Sequence, residues 1–360
     1  MRRAALVVAI LVGATLASTA AFHGSCHRSG PDDPPYGPPN VQRWRDQYPD
    51  FQRTEESTYL TLPEWYEVFS YQEQAEHLES GKPSDFRWFA AIGQFWDMYC
   101  HAYGPASAGY AANPGNHLMI GVIGVSFTLE YAAKGLHEMT WGWLTEHDSY
   151  RTQEDGFAAE TARDYGRFIE TKPWYEYPFG KRMVGVWTET DLFGHDMLRK
   201  TERKMWLTAE YGVKAVYGLV IRGATGLVFG EPPAKDYVWM ENATEASLAV
   251  PGVEVAQPLG NGSYLVVLPH YQGFTDAMPE LARQGVTFAD VAGNDLIVLT
   301  ATGPDEWVYD LPAGRELWRQ DLLTDPSSDR LVIETPVRDL AGVLNGLQQR
   351  GVRVEHLFDY

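Results

Sequence analysis

The stretch Asn116 to Glu138, NHLMIGVIGVSFTLEYAAKGLHE, limits what this chain can fold into more than any other. Its first part, Leu118 to Leu129, carries no charge; Glu130 and Lys134 follow, and His137 and Glu138 close it. So short a charge-free run does not span a bilayer unaided, so the segment reads either as a marginal transmembrane helix or as a buried core helix. Wound at about 100° per residue it has two faces. Gly121, Gly124, Thr128, Ala132 and Gly135 form one, small enough for another helix to approach closely. Ile123, Ser126, Phe127, Glu130, Lys134 and His137 form the other, where Glu130 and Lys134 sit one turn apart and can neutralise each other.

A second apolar pattern runs from Tyr211 to Gly230, at the end of a long helical stretch that starts near His195. Lys214, Gly218, Arg222 and Gly226 recur every fourth residue, so Lys214 and Arg222 are candidate ion-pair partners or supports for Glu130. The residues just before it are basic, with Arg199, Lys200, Arg203 and Lys204 close together. If 117–136 and 211–230 both span, this basic stretch falls on the cytoplasmic side, as the positive-inside rule asks. A mean hydropathy of -0.31 and the charges inside both segments argue for the other reading, a single N-terminal anchor with a soluble remainder.

That anchor is Met1 to Phe22, in which Arg2 and Arg3 precede a run without charge. It reads as a signal peptide with a small-residue cleavage site near Ala20, or as an uncleaved anchor. Either way the chain is expected in the membrane or cell envelope, with its C-terminal domain on the extracytoplasmic side. Residues 23–58 are rich in Pro and Asp and read as a linker. The two cysteines, Cys26 and Cys100, fit a disulfide in an oxidising compartment, but unrelated thiols are the simpler reading.

Between the linker and Gly230 the chain reads as an α-helical domain, 59–230. Thr61-Leu62-Pro63-Glu64 has the form of a capped helix start. The segment Asp85 to Tyr103 carries Trp88, Phe89, Ile92, Phe95, Trp96 and Tyr99 at helical spacing, and Thr152 to Glu170 reads as a further amphipathic helix.

From 231 to 360 the composition becomes β-rich. Gly260-Asn261-Gly262 between two apolar runs is a hairpin signal. An ungapped repeat at an offset of 66 matches Leu265-Val266-Val267 with Leu331-Val332-Ile333 and Phe274, Met278 and Leu281 with Leu340, Leu344 and Leu347. Each copy reads strand, helix, strand, and two such βαβ units predict a ferredoxin-like sheet with its helices on one face. The fold class expected is therefore α+β: an anchor, an α-helical middle region in which two apolar helices pack together, and a C-terminal ferredoxin-like domain.

The net charge of -19 excludes nucleic acid as a partner, since phosphate neutralisation needs a basic surface. No phosphate loop, HExxH, Gly-x-Ser-x-Gly or Cys-x-x-Cys motif is present. The polar group on the apolar helix offers the one acid–base or metal candidate: Glu130 and His137, nearly eclipsed two turns apart, with His117 as an addition through the preceding loop. The simpler reading makes Glu130–Lys134 a structural ion pair. The expected role is binding or assembly, with membrane lipid and a protein partner or second copy of the chain as partners. A membrane-embedded enzyme using Glu130 and His137 is the alternative, and no cofactor is indicated.

Overall fold

The computed structural model describes Trp44, Gln47, Tyr48, Phe51 and residues 55–109, 114–146, 151–228 and 235–358. The segment Met1 to Phe22 and Cys26 lie outside the described residues. Cys100 is in a disulfide, not the free thiol that the simpler reading expected. The described residues are α+β and fall into two compact units. Unit 1 takes its residues from Met1–Trp65, Gln94–Val125 and Pro233–Tyr360; unit 2 takes them from Tyr66–Gly93 and Ser126–Pro232.

The helices are α1 (Glu55–Ser80), α2 (Trp88–Gly109), α3 (Pro114–His137), α4 (Gln153–Ile169), α5 (Phe179–Thr188) and α6 (Met197–Val228). α1 begins before Thr61 and runs through Pro63, so the expected cap at Thr61 does not form. Pro63 is the ninth residue of α1, past the four N–H groups that lack an intrahelical acceptor, so the helix forgoes the bond that an N–H there would make to the carbonyl of Tyr59. α4 starts as expected: Thr152 and Asp155 exchange side-chain and backbone hydrogen bonds in a capping box. α3 continues through a π turn, Glu138–Gly142, into a last turn at Trp143–Thr145.

In unit 1 eight strands form two antiparallel sheets. The first contains β1 (Lys235–Glu241), β2 (Glu254–Gly260), β3 (Ser263–Pro269) and β4 (Thr287–Val291), in the order β2-β3-β1-β4. The second contains β5 (Leu296–Pro304), β6 (Arg315–Asp321), β7 (Ser328–Pro336) and β8 (Arg353–Phe358), in the order β6-β7-β5-β8. The two orders are the same relative to the sequence. α7 (Gln272–Arg283) joins β3 to β4, and α8 (Leu340–Gln349) lies between β7 and β8. One sheet was expected from the repeat; the strands form two, because β1 and β6 add pairing partners that the repeat pattern does not contain.

The hairpin β2–β3 turns at Asn261 and Gly262, both at positive φ (53° and 76°), as a two-residue turn matched to strand twist requires. Apolar faces of α7 and α8 share one core with both sheets, in which Val266, Phe274, Met278, Leu299, Ile333 and Leu344 are buried. Each such side chain contributes about 1.5–3 kcal/mol of transfer free energy. The other side of β1–β3 is covered by residues expected to belong to a linker. Trp44 and Phe51 pack on Leu265, and the Tyr48 ring lies tilted 4.8 Å from that of Tyr237. Trp65, in α1, stacks on His356 of β8 at 3.4 Å.

The small-residue face of α3 is used within the chain. In unit 1 Gly124 sits against Phe95 and Trp96 of α2, and in unit 2 Gly135 sits against Trp88 and Phe89 of the same helix. A Cβ at either glycine would overlap those rings. The seam that sequence reads as a docking face for a helix is thus filled by aromatic side chains of α2.

Candidate functional site

Unit 2 holds the polar residues of α3. Glu130 projects from the face opposite the small residues, and its Oε1 lies 2.7 Å from the Lys134 ammonium, one turn on. The Lys214 ammonium of α6 lies at the same distance, 2.7 Å, on the other side. The Tyr71 hydroxyl of α1 donates to the same carboxylate, and Lys214 in turn donates to the Tyr71 oxygen at 2.8 Å. Lys134 also reaches Glu210 of α6 at 3.1 Å and Gln74 of α1 at 3.3 Å. Two carboxylates and two ammonium groups therefore balance in one buried cluster that ties α1, α3 and α6 together.

Aromatic rings complete the enclosure. Lys134 lies 5.1 Å from the Tyr71 ring and 5.4 Å from that of Tyr131, and Lys214 lies 4.8 Å from the ring of Tyr165. Burial pushes the Tyr71 hydroxyl well above its usual range, and the neighbouring Glu130 carboxylate adds to the effect, so Tyr71 is a hydrogen-bond donor and not a phenolate. Beside the cluster is a cavity of about 30 Å³, lined by Tyr71, Lys134, Tyr165, Arg203 and Lys214 among others. A volume of that size takes one or two waters.

Of the residues singled out in the sequence, Glu130, Lys134 and Lys214 meet, and His137 and Arg222 do not join them. His137 bonds through Nε2 to Glu202 at 2.5 Å and stacks on Trp206 at 3.8 Å. Seven residues separate it from Glu130, about 10 Å along the helix, so each finds its partner at its own level of α6. Arg222 reaches the Tyr175 backbone carbonyl at 3.4 Å. His117 lies in unit 1, where its Nδ1 is 3.3 Å from the Tyr99 hydroxyl.

A second buried ionic cluster occupies the first turns of α6. Arg199, Lys200, Arg203 and Lys204 are all buried. Arg203 pairs with Glu138 at 2.5 Å and with Asp155 at 3.1 Å, and Arg199 reaches Asp155 at 2.9 Å. Glu154 takes Lys200 at 3.1 Å and Lys204 at 2.9 Å. Burial pushes the Asp155 carboxyl up, but Arg203 and Arg199 outweigh it and hold it below its ordinary value. Glu154 and Asp155 also occupy the first turn of α4, where the helix dipole favours negative charge. The π turn brings Glu138 inward, and Gly142 leaves room for its carboxylate, which a Cβ there would overlap.

These four bases read in sequence as a loop signal for membrane topology; in the structure they are paired inside unit 2. The clue available in the sequence was their i, i+4 spacing opposite the adjacent acids of the α4 cap. Among the described residues no group of three or more His, Cys, Asp or Glu side chains is placed to hold a metal ion.

No protein-family model matches the chain, and comparison with curated proteins and with solved structures finds no match. Among the described residues one stretch, Gly115–Thr145, is long and apolar enough to cross a membrane by length and composition, and 39% of its apolar window is buried inside the protein.

Proposed function

We propose that this chain is a membrane-associated protein of the cell envelope whose role is binding or assembly. The observation that carries the reading is Gly115–Thr145: an apolar stretch with 39% of its window buried and with Leu129, Leu136, Trp141 and Trp143 exposed favours a second apolar medium beside it. The Cys100 disulfide supports an oxidising compartment for unit 1, and hence an extracytoplasmic place for the C-terminal sheets. Read from the other edge, each sheet has the order 4-1-3-2 of a split βαβ arrangement, which supports a ferredoxin-like reading of the duplicated region.

The geometry at Glu130 favours this over the enzyme alternative. Its carboxylate is occupied by two ammonium groups and a phenol. The adjoining cavity takes only water, and the expected partner His137 bonds elsewhere. A cluster so enclosed locks helices together and leaves no room for a substrate.

The test is membrane extraction of the full-length chain. Membranes from expressing cells, floated on a density gradient and washed with sodium carbonate at high pH, are expected to retain it. Release into the soluble fraction would contradict the reading.

A further inference from the structure

Resting on that membrane reading, we propose that α6 is a second lipid-facing helix, and that it and the Ser126–Thr145 part of α3 present one face to bilayer hydrocarbon. Arg222 is exposed and lies past the stretch at issue, Met197 to Ile221; within that stretch α6 does not resemble a span by composition, because Arg199, Lys200, Glu202, Arg203, Lys204, Glu210 and Lys214 interrupt it. The structure removes that objection, since every one of these side chains points into unit 2 and is paired there.

What α6 turns outward is different. Between Met197 and Ile221 no exposed position carries a charge, and Thr201 supplies the one hydroxyl. Leu198, Met205, Val213, Val216 and Leu219 are each more than half exposed, and at 100° per residue they fall within about 60° of a common direction. Leu198 to Leu219 covers about 32 Å at 1.5 Å per residue, against a hydrocarbon core of about 30 Å.

α3 repeats the arrangement. The ion pairs Glu130–Lys214, Lys134–Glu210, His137–Glu202 and Glu138–Arg203 run in opposite senses along the two helices, so they are antiparallel neighbours. Outward on α3 are Leu129 and Leu136, and beyond them Trp141 and Trp143, the aromatic type that sits at membrane interfaces. From Ser126 to Thr145 no exposed position is charged. By contrast α4 exposes Glu160 and Arg167. The uncharged surface is therefore a particular face of unit 2.

Hydrocarbon is the occupant that this chemistry fits. A protein interface of that size would carry a hydrogen bond for every 100–200 Å² or so and a polar rim, and the α6 stripe offers one hydroxyl. Intramembrane charges are tolerated when they face a partner away from lipid, which is how the charged side chains of α3 from Ser126 to His137, and of α6 from Arg199 to Lys214, are placed.

The experiment is photo-crosslinking of the full-length chain in native membranes, with p-benzoylphenylalanine at Met205, Val216 or Leu219 of α6, at Leu136 of α3, and at Glu160 as a polar control. Near-ultraviolet circular dichroism of each purified variant checks that packing survives, and three α6 positions guard against the loss of one. Lipid adducts at the α6 positions and Leu136, and none at Glu160, are expected. Lipid adducts at Leu136 without any on α6 would overturn the proposal and leave the membrane reading standing. Crosslinked dimers through α6 in place of lipid adducts would assign the face to a second copy and overturn it. Absence of lipid adducts at every position would overturn both.

Discussion

Glu130→Gln is expected to lower the stability of unit 2 by about 3–5 kcal/mol, the cost of leaving a buried charge without its partner. The glutamine keeps the size of the side chain and an acceptor for the Tyr71 hydroxyl, so packing changes little. It removes the charge that faces the Lys134 and Lys214 ammonium groups, each 2.7 Å from the carboxylate. Lys134 retains Glu210 at 3.1 Å, which places most of the loss on Lys214. Lys214→Met in the Glu130→Gln background removes that second charge and is expected to restore the greater part of the stability. The measurement is denaturation in mild detergent across the four members of a double-mutant cycle, where the coupling should exceed about 1.5 kcal/mol. A Glu130 that served as an acid or base in catalysis would behave differently: the single variant would lose turnover and keep its stability.

The second large effect is on pH dependence in unit 1. Burial pushes the Glu64 carboxyl up to about 7, with His270 pulling in the other direction. His270 itself lies 2.7 Å from Asp236. Between the ordinary value of 4.5 and 7 the folded chain binds more protons at Glu64 than the unfolded chain, so this group costs stability as pH rises through that window. His356 has the opposite slope. Burial, and then His270, lower its pKa well below 6.5, so its contribution is lost as pH falls below 6.5.

The two slopes offset each other between about 4.5 and 6.5. Glu64→Gln leaves the His356 slope alone: the variant should match the parent near pH 4.5 and exceed it by about 2–3 kcal/mol at pH 8. Parallel denaturation curves from pH 4.5 to 8.5 measure the difference. A constant difference over that range would show that Glu64 ionises at its ordinary value in the folded chain.

The sequence made α3 legible because its two faces differ in residue size and charge, and an i, i+4 Glu–Lys pair has one geometry on a helix. It placed Lys214 on a stripe with Arg222, yet the structure separates them. α6 is antiparallel to α3, so only the residue at the level of Glu130 meets it. β1 and β6 escaped for a different reason. KDYVWME and RELWRQD are short and carry charges at both ends, and their buried residues, such as Val238, Met240 and Trp318, become a buried face only once neighbouring strands are paired. The basic run 199–204 was visible, but its burial depends on carboxylates from α4 and from the π turn after α3, neither of which lies on the same helix. Local rules therefore recovered the Glu130–Lys134 pair and its partner Lys214, and missed the cluster that α4, α6 and the π turn build together.

On the proposed reading, α3 from Ser126 to Thr145 and α6 from Leu198 to Leu219 keep their charged side chains inside unit 2 and turn an uncharged face toward hydrocarbon. Sedimentation velocity of the full-length purified chain in a density-matched detergent measures bound detergent directly. A belt of bound detergent, with aggregation when the detergent is removed, is the result expected of a face built from α3 and α6. A monodisperse chain that binds no detergent and stays soluble without it would contradict the account.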